Sequence, residues 1–216
     1  MPSLRLRRPQ AASAIRGVSL IELLVGIAIL GIAVALGAPA FSEWIANSQI
    51  RSTAESIQNG LHLARAEAVR RNTSVQFQLT TTLDNSCAVN AAGANWVVSI
   101  SSATTPVASH CGDDISDTAS SMLLQKGSPV SANANATISA SQPAFGFNGL
   151  GRIVKTTTPA TEVVNSTIDI SSTRGGCLGT TGGTLRCLRL LVAAAGQIRM
   201  CDPQRPTGDA MACPKS

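Results

Sequence analysis

The chain has 216 residues, enough for one domain with an added element and too few for two large packed domains. Charged side chains make up 13% and aromatic ones 3%, while 44% are hydrophobic, which excludes a charge-driven disordered protein. The net charge of +5 comes mostly from Arg5, Arg7, Arg8 and Arg16; without them 13 basic residues face 12 acidic ones, so the high isoelectric point implies no general affinity for nucleic acid.

From Leu23 to Ser42 run 20 consecutive uncharged residues, LLVGIAILGIAVALGAPAFS. As a helix they extend about 30 Å, the thickness of a bilayer's hydrocarbon core. The arginine cluster precedes this run, and only Glu43 and Arg51 lie just beyond it, so the positive-inside bias leaves the N-terminus cytoplasmic and the rest exported. An ordinary secretory signal has its small-residue cleavage site after the apolar core. Here the small residue, Gly17, comes before it, and Glu22 lies where a lone acid is costly, by roughly 2.5 to 3.5 kcal/mol at a bilayer centre and less near its edge. A cut after Gly17 creates an amine at Val18, five positions from Glu22 counting inclusively, which can meet the acid of a neighbouring subunit.

Arg16-Gly17-Val18-Ser19-Leu20-Ile21-Glu22-Leu23-Leu24-Val25 resembles the class III signal of type IV prepilins and type II secretion pseudopilins. The resemblance implies that a membrane prepilin peptidase cuts after Gly17 and methylates Val18, and that Glu22 guides subunits into a filament. Val18 stands where the family usually has Phe. Pro39 falls at the family's usual helix bend, and proline by itself removes an amide donor and kinks a helix.

Beyond the anchor, Ile50, Ala54, Ile57, Leu61, Ala64 and Ala68 recur at spacings of 4, 3, 4, 3 and 4, an apolar stripe. This predicts one helix from Val18 to about Arg71, roughly 80 Å long if straight, ended by Asn72. Alanine at half of the stripe positions suits close packing on a sheet, and His62 falls on the solvent side. The period then changes to two: Val75, Phe77 and Leu79 alternate with polar residues in a half-buried strand over 73–80. Further strands are predicted over 95–100, 122–125, 136–139, 144–147, 152–155, 164–170, 185–192 and 197–201, while 101–121 reads as a flexible polar loop. The fold class is α+β: a long N-terminal helix packed on an antiparallel sheet or small sandwich. The expected divisions are a leader over 1–17, an assembly helix over 18–42, an amphipathic helix over 43–71 and a β-rich head over 72–216.

Six cysteines, Cys87, Cys111, Cys177, Cys187, Cys201 and Cys213, suit disulfides in an exported chain. The sequential pairing encloses the shortest loops and is the one expected here. With no CxxC and two histidines, a structural zinc site is not indicated, and His110 with Asp113, Asp114 and Asp117 reads as a solvated acidic loop. GxSxG, HExxH and phosphate-loop patterns are missing, and Gly149-Leu150-Gly151 lacks the third glycine of a dinucleotide fingerprint, so neither enzyme nor cofactor is expected.

Residues 186–203 predict two strands joined at a small-residue turn, with Arg186, Arg189 and Arg199 along them. Together with SIQNGLHLARAEAVRR (56–71), Trp96-Val97-Val98 and Phe145-Gly146-Phe147-Asn148-Gly149-Leu150-Gly151-Arg152, this hairpin resembles the GspH/FimT family of minor pilins and pseudopilins. That resemblance implies a non-enzymatic subunit of a type IV pilus or type II secretion pseudopilus, placed near the tip. Its implied partners are the prepilin peptidase, other major and minor pilins or pseudopilins, and inner-membrane lipid. Some members bind DNA at a Gly-Arg-x-Arg turn. The matching positions here are Gly196, Gln197, Ile198 and Arg199, so the first arginine is lost. A glutamine releases no counterion from a phosphate, and DNA binding through Arg186, Arg189, Gln197 and Arg199 stands as the alternative.

Overall fold

A computed structural model describes residues 18–102, 105–129, 135–156 and 159–214. Gly17 and the arginines before it lie outside them. The chain divides into two compact units, Met1–Phe41 and Ser42–Ser216. Helix α1 covers Leu20–Arg71. At its start the Ser19 carbonyl accepts the Leu23 N–H at 3.1 Å. At its end Asn72 takes a left-handed φ of 49°, a conformation asparagine tolerates better than most side chains. The Thr73 N–H then reaches back to the Ala68 carbonyl at 3.2 Å and the Asn72 N–H to that of Val69 at 3.3 Å, a Schellman stop that satisfies the last carbonyls.

In the second unit all six stripe residues, Ile50 to Ala68, are fully buried. They face two antiparallel sheets, of nine strands among the described residues. The first sheet has the order β3 (Leu123–Gly127), β2 (Asn95–Ile100), β1 (Val75–Thr80), β5 (Ala144–Phe147), β6 (Ile153–Val154). The second runs β4 (Ala136–Ala140), β7 (Ser166–Ser172), β8 (Leu188–Val192), β9 (Ile198–Cys201). Inward residues of both sheets, among them Phe77, Phe145, Phe147, Ile168, Ile170 and Leu190, join the helix stripe in one core. His62 is exposed.

Strand β1 departs from the half-buried expectation, because both of its faces are covered. Val75, Phe77 and Leu79 face the core, while Gln76, Gln78 and Thr80 are also buried. Alternating polarity signals a wet face only when nothing lies over it. Here a second cluster, Cys87, Val97, Val107, Cys111 and Leu123, sits on the sheet. The buried amides find partners: Gln78 Nε2 donates to Gln76 Oε1 at 3.1 Å and to Ser99 Oγ at 3.3 Å. The polar loop expected over 101–121 is accordingly pinned in its described part by the buried Val107 and by a disulfide from Cys111 to Cys87. Lys126 adds two bonds from its ammonium, to the carbonyls of Cys111 at 3.0 Å and Asp113 at 2.9 Å.

The two sheets also meet at their turns. Gly196, between β8 and β9, has a φ of +84°, and a Cβ there would collide with the Gly151 carbonyl oxygen. That same oxygen accepts Arg65 Nε at 3.1 Å, tying helix, β5–β6 turn and β8–β9 turn to one point.

An ionic clamp fastens the 101–121 loop to the end of α1. Arg71 bonds Glu67 through Nε and Asp117 through Nη1, both at 2.8 Å, and Arg70 bonds Glu67 at 2.6 Å. The Arg70 guanidinium, followed by that of Arg71, holds the Glu67 carboxyl below its usual range, and Arg71 does the same to Asp117. A depressed carboxylate pKa adds stability that is complete above the unfolded-state value and disappears as pH falls through the folded-state value. Amide exchange over 116–119 should therefore be the same at pH 7 and pH 5 after correction for intrinsic rates, and should quicken below about pH 4. Equal protection at pH 3 and pH 7 would show that the clamp contributes nothing.

Candidate functional site

The first unit presents an apolar helix surface that none of the described residues covers. Leu20 to Leu36 includes eleven Leu, Ile and Val side chains at least half exposed, among them Leu20, Ile21, Leu23, Ile29 and Leu36. This is the one helix among the described residues long and apolar enough to cross a membrane. Glu22 is the acid of its first turn, three residues after Ser19. In a single chain the carboxylate complements the positive end of the helix dipole, and the S-x-x-E spacing is that of a capping box. Val18 precedes the helix and is exposed. Pro39 lies within α1, whose helical span runs from Leu20 to Arg71.

At the other end of the chain the predicted arginines separate into different environments. β8 pairs with β9 in the register Arg189↔Cys201 and Leu191↔Arg199, so Arg189 and Arg199 share the outer face of the second sheet. Arg189 spends its fork on Asp169, a cross-strand partner on β7, through bonds of 2.6 and 3.1 Å. Arg199 donates to the carbonyls of Ala210 at 3.0 Å and Ala212 at 3.2 Å, holding the chain after β9 back onto the strand. Gln197 is exposed at the turn and lines the same depression as Arg199. Arg186 belongs elsewhere: it lines a second depression with Trp44 and Arg51, and its Nη1 lies 3.5 Å from Asp202. Arg186 therefore lies apart from the other two, and of the two on one face Arg189 is paired with a carboxylate and Arg199 with backbone carbonyls.

The disulfides join Cys87 to Cys111, Cys177 to Cys187 and Cys201 to Cys213, with Cα separations of 6.1, 5.4 and 5.0 Å. The last of these closes the segment that Arg199 holds. Inside it Asp202 is buried, and its Oδ1 accepts the Gln204 N–H at 2.8 Å. Neither Asp169 nor Asp202 stood out in the sequence; strand pairing decides which acid an arginine meets, and a single chain read linearly does not give that register. Among the described residues no group of His, Cys, Asp and Glu is placed to hold a metal ion, and His110 Nδ1 instead lies 3.2 Å from Asp113.

Comparison with known proteins bears on both ends of the molecule. The prokaryotic N-terminal methylation motif matches residues 13–38. The family described as type II transport protein GspH matches residues 53–205. No curated protein matches. Two crystal structures of the type IV minor pilin FimU from Pseudomonas aeruginosa (strain PAO1) are similar in structure. One has 19% sequence identity over 73% of this chain and 94% of that chain, with a TM-score of 0.47. The other has 17% identity over 71% and 97%, with a TM-score of 0.43. The GspH match takes in α1 from Thr53 onward, both sheets and the start of the disulfide-closed segment, well over half of the chain, and the protein belongs to the type II transport protein GspH family.

Proposed function

We propose that the chain is a minor pilin or pseudopilin made as a prepilin, cut after Gly17 at the cytoplasmic face of the inner membrane, methylated at Val18 and drawn by its apolar helix into a short filament near the tip. In this reading the N-terminus is cytoplasmic, the head is periplasmic, and the work of the protein is assembly, in support of filament initiation or secretion. The observation that carries it is the apolar half of α1, uncovered among the described residues and bearing a carboxylate in its first turn, directly within the methylation motif. Buried against like helices, that surface gains what it lacks alone. The pairing of Arg189 with Asp169 and of Arg199 with backbone carbonyls supports a structural role for the C-terminal hairpin over DNA capture.

Mass spectrometry of the exported protein tests the reading: the mature chain should begin at a methylated Val18. Gly17→Leu should leave the 17-residue leader attached and the precursor in the membrane. A mature form starting downstream of Ala40 would refute the proposal, since it would have lost its assembly helix.

A further inference from the structure

Within the second unit a groove of about 500 Å³ lies beside the first turns of α1 that follow the apolar run. Trp44, Asn47 and Arg51 line it from the helix, Arg186 from the approach to β8, and Arg205 and Met211 from the disulfide-closed segment. We propose that this groove seats the phosphate of an anionic phospholipid headgroup while the subunit is held in the membrane; the inference rests on the anchored reading above.

Four features point to that ligand. The first is depth. Trp44 and Arg51 follow Ser42, the last residue of the uncharged run, by two and nine residues, so they lie roughly 3 to 14 Å farther along the helix axis. A bilayer's polar layer adds about 5 to 8 Å on each side of the hydrocarbon, within reach of Trp44 directly and of Arg51 through its long side chain. The second is the aromatic ring. Tryptophan concentrates at this boundary because its ring is apolar and its N–H is polar, and Trp44 is 65% exposed.

The third feature is charge. Three guanidinium groups face one carboxylate, Asp202, in the lining of the groove. Arg186 approaches that carboxylate only to 3.5 Å, and Arg205, 3.6 Å from it, gives its Nη1 to Asp209 at 3.1 Å in a part-exposed pair that can be exchanged, so most of the N–H donors of both guanidinium groups are left for another acceptor. Arg51 is paired with Glu55 on an exposed helix face, where an ion pair is worth little and can be exchanged. The last is fixity. The Arg186 N–H is held by Asn47 Oδ1 at 2.8 Å, and the Cys201–Cys213 disulfide closes the segment carrying Arg205. Leu188 and Met211 supply apolar walls for the glycerol end of the headgroup.

The test uses the full chain in nanodiscs containing equal amounts of phosphatidylglycerol and phosphatidylcholine, with a diazirine-bearing amino acid in place of Met211. Light should attach phosphatidylglycerol in several-fold excess over phosphatidylcholine at position 211. The same probe in place of Leu150, which is exposed on the β5–β6 turn, should show no preference. Adding Arg186→Gln and Arg205→Gln to the Met211 probe should reduce the excess about fivefold, the scale of one cation near an anionic surface after allowing for their existing partner. Equal attachment of the two lipids at 211, or an excess untouched by the arginine replacements, overturns the proposal. Loss of the excess in millimolar inorganic phosphate assigns the groove to free anions and overturns it too. A chain that fails to enter nanodiscs at all would instead sink the anchored reading on which the inference stands.

Discussion

Glu22→Ala should be cleaved and methylated normally yet be missing from the filament, with incorporation reduced at least tenfold when sheared filaments are compared with the membrane fraction. The two locations make opposite demands on this side chain. In the membrane a carboxylate near the edge of the apolar run is a cost, up to roughly 2.5 to 3.5 kcal/mol, so alanine should stabilise the waiting subunit there. In the filament proposed above the acid is to meet the amine of a neighbour's Val18, and two unit charges about 4 Å apart attract by about 4 kcal/mol at an effective dielectric near 20. Attraction exceeds cost, so the native residue moves the balance from bilayer to filament and alanine moves it back. Glu22→Gln keeps an acceptor without the charge and should fall between the two. Equal recovery of Glu22→Ala in filament and membrane fractions would remove the acid from the mechanism.

The elements were legible wherever one period dominated. The 4-3-4-3-4 spacing from Ile50 to Ala68 reappears as six side chains buried on one helix face, and Asn72 ends the helix as its left-handed tolerance suggests. Each of the nine strands among the described residues overlaps its predicted span, with β3 and β7 running two residues past theirs, because Gly-, Pro- and Ser-rich connectors punctuate them. What the sequence hid was long-range. Gln76 and Gln78 alternate with apolar residues as a wet face does, and only the fold shows a second cluster, with Cys87, Val107 and Cys111, on that side of the sheet. Arg189 and Arg199 looked like neighbours on a hairpin and they do share a face, but their partners, Asp169 and the carbonyls after β9, come from strand register and from the returning C-terminal segment. Arg186 was grouped with them by sequence proximity, whereas the approach to β8 carries it to the helix, beside Asn47.

Gly60→Ala, in the middle of α1, should lower stability by about 1 to 2 kcal/mol, against the sign expected from helix propensity. A glycine in an exposed helix interior costs about 0.5 to 1 kcal/mol relative to alanine, so the replacement would ordinarily be a gain. At this position an added Cβ would stand 2.7 Å from Phe77 Cε2 and 2.9 Å from Trp96 Cδ2, closer than carbon atoms pack. Neither ring has room to withdraw. Phe77 is fully buried, with its centroid 5.8 Å from that of Trp96 and 6.3 Å from that of Phe145. The Trp96 indole is fixed by its Nε1 donating to Ser56 Oγ at 3.0 Å, one helical turn before Gly60, and on β3 it lies over Gly127. Overpacking of a filled core costs about 1 to 3 kcal/mol, which outweighs the propensity gain. Gly60→Leu should cost about 3 kcal/mol or more and loosen the helix from the first sheet. Urea unfolding of the full chain in detergent micelles, followed by tryptophan fluorescence, measures both. A Gly60→Ala protein more stable than the native one would show that the helix stands farther from β1 and β2 than the packing of Phe77 and Trp96 requires.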